Sequence, residues 1–247
     1  MSLSAGPGAS GGKGRTTPSS WMRADHVITV AGISLIADPS GVLYWPQHRL
    51  LAVADLHLEK GSGFAARGRL LPPYDTAATL SRLAHLIARY VPRVVVALGD
   101  SFHDGNGAAR LGVDDRRQLR ALQRGRDWLW LAGNHDPVPS SDVDGAFHAA
   151  LALGGLTFRH HPTGAAGEVA GHLHPVARIV HRGRAVVRRC FVADKARLVL
   201  PAFGAFAGGL NIRDVAFADL FGTLRFTVHM LGKDRLYSFA AKRCLPD

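Results

Sequence analysis

Residues 51–57, Leu51-Ala52-Val53-Ala54-Asp55-Leu56-His57, carry an apolar run straight into an aspartate and a histidine two positions apart. A short apolar run of this kind reads as a buried strand. Period-two geometry then leans Asp55 and His57 to one side at the strand's exposed end. Three later stretches repeat the design: Val94-Val95-Val96-Ala97-Leu98-Gly99-Asp100, Trp128-Leu129-Trp130-Leu131-Ala132-Gly133-Asn134-His135-Asp136, and Glu168-Val169-Ala170-Gly171-His172-Leu173-His174. If all four converge, the ends of four strands build one polar site.

Between these strands lie helical periods. Thr76–Tyr90 places Leu80, Leu83, Leu86 and Ile87 on one face with Arg82 and Arg89 elsewhere on the wheel, and Pro92 follows its end. Asp114–Arg124 opens on acidic residues that suit a helix N-terminus. Strand and helix therefore alternate through the first half, an α/β arrangement with parallel pairing. Upstream, 26–38 and 41–55 read as a hairpin feeding the first motif strand, with turn residues Asp38 to Gly41 between them. From Ala177 onward the pattern turns to short strands, taken to include the whole of 214–239, so the second half is expected to be mainly β.

Composition bounds the rest. Hydrophobic residues make up 47% of the 247 and charged ones 20%, ample material for a packed interior. Because the ligand-type residues spread from 55 to 174, the chain is expected to hold a disordered Gly- and Ser-rich tail over 1–20 and one domain over 21–247. Two cysteines, Cys190 and Cys244, make neither a CxxC pattern nor a disulfide framework, which fits a reducing cytosol. No apolar run approaches the roughly 18 residues of a membrane span, and no signal peptide is evident, so a cytoplasmic protein is expected. Thirty Lys and Arg stand against 19 Asp and Glu, a formal net charge of +11. That excess attracts polyanions, nucleic acid above all, or else reflects an Arg-rich composition alone.

The candidate chemistry rests on Asp55, His57, Asp100, Asn134, His135, one of His160 and His161, His172 and His174. Carboxylate, amide and imidazole donors without thiolate suit divalent Mn, Fe, Zn or Ni. The set is too large for one ion with an open position, and a pair about 3.5–4 Å apart is the arrangement that serves phosphoryl displacement. Within the His-His-Pro stretch, His160 shares the parity of Leu156 and Phe158 and is assigned as the ligand. His103 and Asp104 either orient the ligands or form a polar turn with Gly105, Asn106 and Gly107. Arg67 and Arg69, in the loop after the first motif, are candidates for holding phosphates, against a solvated loop. Arg178, Arg182, Arg184, Arg188 and Arg189 form a second basic cluster that would track a nucleic-acid backbone if it lines one face.

The order Asp-x-His, Gly-Asp, Gly-Asn-His, His, Gly-His-x-His resembles the signature of the calcineurin-like metallophosphoesterases, here Asp55-Leu56-His57, Gly99-Asp100, Gly133-Asn134-His135, His160 or His161, and Gly171-His172-Leu173-His174. The finer stretches, from Ala54-Asp55-Leu56-His57-Leu58-Glu59-Lys60-Gly61 to Leu198–Asn211, look like the bacterial ligase-associated DNA-damage-response phosphoesterases. The resemblance implies two mixed β-sheets in a sandwich flanked by helices. It also implies two divalent ions, most of all Mn: the first held by Asp55, His57 and His174, the second by Asn134, His172 and the 160–161 histidine, with Asp100 shared. His135 would be catalytic, protonating the departing alkoxide. The implied activity is a metal-dependent phosphodiesterase acting on DNA as an endonuclease in repair, with DNA and repair proteins such as a ligase as partners. The alternatives are an enzyme for cyclic nucleotides or small phosphorylated metabolites, and a low-turnover binding subunit, against which the intact His135 argues.

Overall fold

The computed structural model of the protein describes residues 26–247. The tail expected over 1–20 lies outside the described residues. The chain opens with β1 (Val27–Val30), β2 (Ile33–Ala37), β3 (Leu43–Trp45) and β4 (Leu50–Val53), an antiparallel meander. Next come α1 (Lys60–Ala65), α2 (Asp75–Tyr90), β5 (Val94–Ala97), α3 (Gly107–Arg110), α4 (Val113–Gln123), β6 (Asp127–Leu131) and β7 (Ala146–His148). Strands β4 to β7 pair in parallel, which completes a mixed seven-stranded sheet in sequence order.

The second sheet contains β8 (Ala150–Leu153), β9 (Leu156–Arg159), β10 (Glu168–Ala170), β11 (Pro175–His181), β12 (Arg184–Ala193), β13 (Arg197–Val199) and β14 (Leu210–Asn211). Its order is β14-β11-β12-β13-β10-β9-β8, with β9, β10 and β13 mutually parallel. After α5 (Val215–Phe221), β15 (Thr227–Leu231) and β16 (Leu236–Ala240) extend this sheet from the second half of β12.

Alternation along each strand explains the layering. On β4, Leu51 and Val53 face α2 and α4, while Leu50 and Ala52 face the second sheet; on β5 and just beyond, Val95 and Ala97 separate from Val96 and Leu98 in the same way. The strands alternate between two apolar surroundings, so their sequences read as continuous apolar runs. Leu80, Leu83, Leu86 and Ile87 of α2 and Leu119 and Leu122 of α4 cover the outer face of the first sheet. Leu156, Phe158, Val169, Phe191 and Leu198 close the interior between the sheets. Phe217 and Phe221 of α5 cover the second sheet's far side with Cys190, Val192 and Met230. The result is helices, sheet, sheet, helix, as the motif order implies.

Four expectations need correction. Residues 215–221 are helical rather than extended, because Asp214 caps α5 by accepting from Ala216 N at 2.9 Å and the i, i+4 pair Phe217 and Phe221 buries one face. The loop after the first motif contains α1, and the Gly105-Asn106-Gly107 turn runs into α3. Asp55 and His57 are not placed by strand period: β4 stops at Val53, and both residues adopt left-handed backbone, φ 54° and 43°. Finally, Arg189 is no surface residue, as its guanidinium donates to the carbonyls of Ala202, Gly204 and Ala207 at 2.9 Å each. No described helix is long and apolar enough to cross a membrane.

Candidate metal centre

The parallel strands β4, β5 and β6 and the parallel pair β9 and β10 all end toward the same edge of the sandwich, so the loops that follow them meet. The loops after β4 and β5 are zipped together: His57 N donates to Asp100 O at 2.9 Å, Leu58 N to Ser101 O at 2.9 Å and His103 N to Leu58 O at 2.9 Å. The loops from the second sheet are tied across the interface. His160 Nδ1 donates to Leu98 O at 2.8 Å, and His172 N donates to the Asp55 carboxylate at 3.1 and 3.2 Å.

These turns need unusual backbone. Asp55, His57, Asp100, His172 and His174 all have φ between 43° and 72°, a region that non-glycine residues occupy only at a cost of order 1–3 kcal/mol each. Strain accumulated on five donor-bearing residues marks a site whose geometry the surrounding fold imposes. Two glycines permit the approach. A Cβ on Gly133 would stand 2.1 Å from the Asp100 nitrogen, and one on Gly99, φ 78°, would stand 2.6 Å from the His160 side chain.

The donors gather in two groups about Asp100. In one, Asp55, His57 and His174 come together, with His174 Nε2 at 3.3 Å from Asp55 Oδ1 and 3.2 Å from His57 Nε2. In the other, Asp100 meets His160 and His172, with His160 Nε2 at 3.4 Å from Asp100 Oδ1, 3.2 Å from His172 Nδ1 and 2.9 Å from Asn134 Oδ1. Asp100 Oδ2 faces the other way, 3.9 Å from both His57 Nε2 and His135 Nε2. Of the His160 and His161 pair, His160 is buried among the donors, whereas His161 is exposed and tilts against the His172 ring at 4.3 Å.

The fit to a cation follows from proton accounting at His160. Its Nδ1 hydrogen is committed to the Leu98 carbonyl, so a neutral ring aims the Nε2 lone pair at a carboxylate oxygen and an amide oxygen. That arrangement is repulsive unless a positive charge, either a proton on Nε2 or a cation, lies between them. The titrations agree. Burial works against charge on His160, yet hydrogen bonding to Asp100 and the charge of Asp55 raise its pKa. Asp100 is brought down to about 2, since the His160 contacts outweigh its burial. Burial and His174 push His57 down to about 3, which keeps the imidazole in the neutral form that ligates.

His135 stands at the rim, 40% exposed, its Nδ1 donating to His103 O at 2.8 Å and its ring stacked on His103 at 5.4 Å. Asp104, near the same rim, is committed to Arg110 by two contacts of 2.8 Å. Arg67 and Arg69 are exposed in the loop beyond α1; Arg67 lies over the Phe64 ring at 5.6 Å and 3.8 Å from Asp104.

Two residues that the motif reading passed over support the site. Asp136 accepts from Ser101 N at 2.8 Å and Phe102 N at 3.1 Å, pinning the loop that carries Asp100, and burial raises its pKa to about 6. Its place directly after Asn134-His135 and before a proline was the available signal. Lys60 spans α1 and the 202–207 loop through Phe206 O at 2.9 Å.

Comparison with known proteins gives the arrangement its family. The crystal structure of Pseudomonas putida nuclease MPE matches with a TM-score of 0.67 and 28% sequence identity, over 85% of this chain and 98% of that one. The phosphoesterase Yfce from E. coli matches with a TM-score of 0.38 and 14% identity, over 78% of this chain and 98% of that one, a distance at which likeness carries no inference. No curated protein sequence matches significantly. The family model for calcineurin-like phosphoesterases matches residues 48–200, a span that opens just before β4, ends just after β13 and contains every donor described above. The chain therefore belongs to the calcineurin-like phosphoesterases, a family of divalent-metal enzymes, and is a hydrolase of phosphoester bonds.

Proposed function

We propose that the protein is a two-metal phosphodiesterase that cuts within DNA strands, in a repair setting. The observation that carries the two-ion reading is Asp100, whose Oδ1 faces His160 and whose Oδ2 faces His57. A carboxylate with one oxygen toward each donor group suits a shared ligand. In this reading Asp55, His57 and His174 hold one ion, and Asn134, His160 and His172 hold the other. The donor set suits divalent Mn, Fe, Zn or Ni, and the family resemblance points to Mn among them. Ions held there supply Lewis acidity, offsetting charge on the phosphoryl oxygens and lowering the pKa of water.

The remaining work falls to the chain itself. With Nδ1 committed to the His103 carbonyl, His135 presents Nε2 toward the centre, where the imidazolium form would give its Nε2 proton to the departing alkoxide and return to the neutral ring. Arg67 and Arg69, exposed in the loop beyond α1, would hold phosphates flanking the reacting one. Support for a nucleic-acid substrate comes from the 28% identity to a nuclease and from the net charge of +11.

A specific observation favours a second reading, a small phosphodiester as substrate. Arg189 turns inward, Arg178 reaches the Pro246 carbonyl at 3.3 Å, and the basic cluster expected after the last motif is thinned. Incubation with circular single-stranded DNA and with bis-p-nitrophenyl phosphate, in Mn and in EDTA, separates the two. Cleavage of both substrates that is lost in EDTA and in Asp100→Asn supports the DNA reading; cleavage of the small diester alone puts the second reading in its place.

A further inference from the structure

The loop over 202–207 runs beside the metal centre and is held with unusual firmness. Phe203 N donates to Ala54 O at 2.9 Å and Gly204 N to Asp55 O at 3.0 Å, so its backbone is fastened directly to a donor residue. Its carbonyls are taken up by three cations: Arg82 at Phe203, Arg189 at Ala202, Gly204 and Ala207, and Lys60 at Phe206. Neither Arg82 nor Arg189 forms an ion pair with a carboxylate among the described residues, so the loop carbonyls are their partners. The loop backbone is thus fastened on both sides of Phe206 and at its own carbonyl.

Across from it, residues 66–74 behave unlike an ordinary solvated loop. Leu70 is 91% exposed and Tyr74 is 59% exposed, and Arg67 and Arg69 are exposed between α1 and these two. Tyr74 meets Phe206 edge-on with ring centroids 5.9 Å apart, and that contact leaves more than half of the tyrosine open. A ladder of rings and cations links the pair to the chemistry: Lys60 binds the Phe206 carbonyl and lies 5.9 Å from the Phe64 ring, Phe64 lies 5.4 Å from His103, and His103 stacks on His135. Mutual packing would account for the two rings touching. It does not account for an aromatic and a leucine held in water just after two exposed arginines, at the rim of a phosphoester-cleaving centre.

We propose that Tyr74 and Phe206 form a stacking subsite for a nucleobase next to the scissile phosphate, an inference that rests on the nucleic-acid reading above. An aromatic face accepts any base by stacking, while neighbouring guanidinium groups take the backbone phosphates. Because a base inside a duplex has both faces covered, the subsite takes unpaired nucleotides. The rigid mounting of Phe206 lowers the ordering cost of each encounter. Tyr74 carries no side-chain cap for α2, and its backbone carbonyl, which accepts from Ala78 N at 2.9 Å, is retained in any substitution.

The test compares the wild-type full chain, Tyr74→Ala and Tyr74→Trp on three Mn-supported substrates: bis-p-nitrophenyl phosphate, single-stranded oligothymidylate, and an oligomer of equal length with tetrahydrofuran abasic sugars. Tyr74→Ala is expected to lower kcat/KM on oligothymidylate between about 5-fold and 100-fold, the range for loss of one base stack. It should leave the abasic oligomer and the small diester at wild-type rates, with Tyr74→Trp restoring the oligothymidylate rate. Equal cleavage of oligothymidylate by wild type and Tyr74→Ala overturns the subsite, as does an equal loss on the base-bearing and abasic oligomers. A wild-type enzyme that hydrolyses the small diester and cuts no oligonucleotide overturns the nucleic-acid reading itself, and the subsite falls with it.

Discussion

His135 Nδ1 lies 2.8 Å from the backbone carbonyl of His103, and this one contact decides which nitrogen of the rim histidine is available for chemistry. A carbonyl only accepts, so Nδ1 keeps its hydrogen and Nε2 is left to face Asp100 at 3.9 Å. His135→Ala is expected to lower kcat by about 100-fold to 10,000-fold, the usual contribution of a general acid. Metal content, read by plasma emission after dialysis, should stay at the wild-type level. A fall in bound metal would make His135 a ligand instead of a proton donor.

Gly133 tests whether the approach of the β6 loop to Asp100 matters. An added methyl would stand 2.1 Å from the Asp100 backbone nitrogen, 2.3 Å from Asp100 Oδ1 and 2.5 Å from Asp136 Oδ1, so the backbone at Asp100 and both carboxylates must move. Gly133→Ala should remain folded, destabilised by about 1–3 kcal/mol as for other overpacked sites, yet lose bound metal and turnover together. Wild-type turnover in this variant would show that Asp100 tolerates displacement.

Arg189 was legible as a charge and not as a structural part. Its guanidinium serves three loop carbonyls at 2.9 Å and a fourth, that of Phe203, at 3.4 Å. Arg189→Met keeps much of the apolar stem and strips the donors, at an expected cost of about 2–4 kcal/mol in urea unfolding. The salt dependence of DNA affinity should not change, since this cation has no phosphate to neutralise.

The contrast between Arg189 and the motif residues shows what sequence can and cannot carry. The β4 run was readable because a strand packed on both faces needs apolar residues at every position, and the polar cluster at its end has no place in such an interior. Helix α2 declared itself by the spacing of Leu80, Leu83 and Ile87. The left-handed turns at Asp55 and Asp100 left no such trace, because they are imposed by loops zipping together after the strands end. Helix α5 hid behind aromatic residues that favour strands, and only its cap, Asp214, marked it. Tyr74 and Phe206, far apart in the chain, meet only once both loops are placed.

Acid stability offers a test away from the metal centre. Burial pushes His229 on β15 down to about 4, with its Nδ1 2.8 Å from Ser238 Oγ. Between the ordinary histidine value near 6.5 and about 4, the unfolded chain takes up a proton that the folded chain refuses. Stability is therefore constant with respect to this group above that window and falls as pH drops through it. His229→Gln, which keeps a hydrogen-bonding side chain and does not titrate, should lose less Tm than wild type between pH 7 and pH 4.5. Parallel curves would mean that His229 is solvated in the folded protein.

Asp100 is proposed to stand between two cation sites. Equilibrium binding of Mn to the EDTA-stripped protein, counted per chain, tests it most directly. Two ions are expected to bind to wild type, with a loss of affinity at both in Asp100→Asn. A single ion per chain in wild type, or two ions held undisturbed in Asp100→Asn, would contradict it.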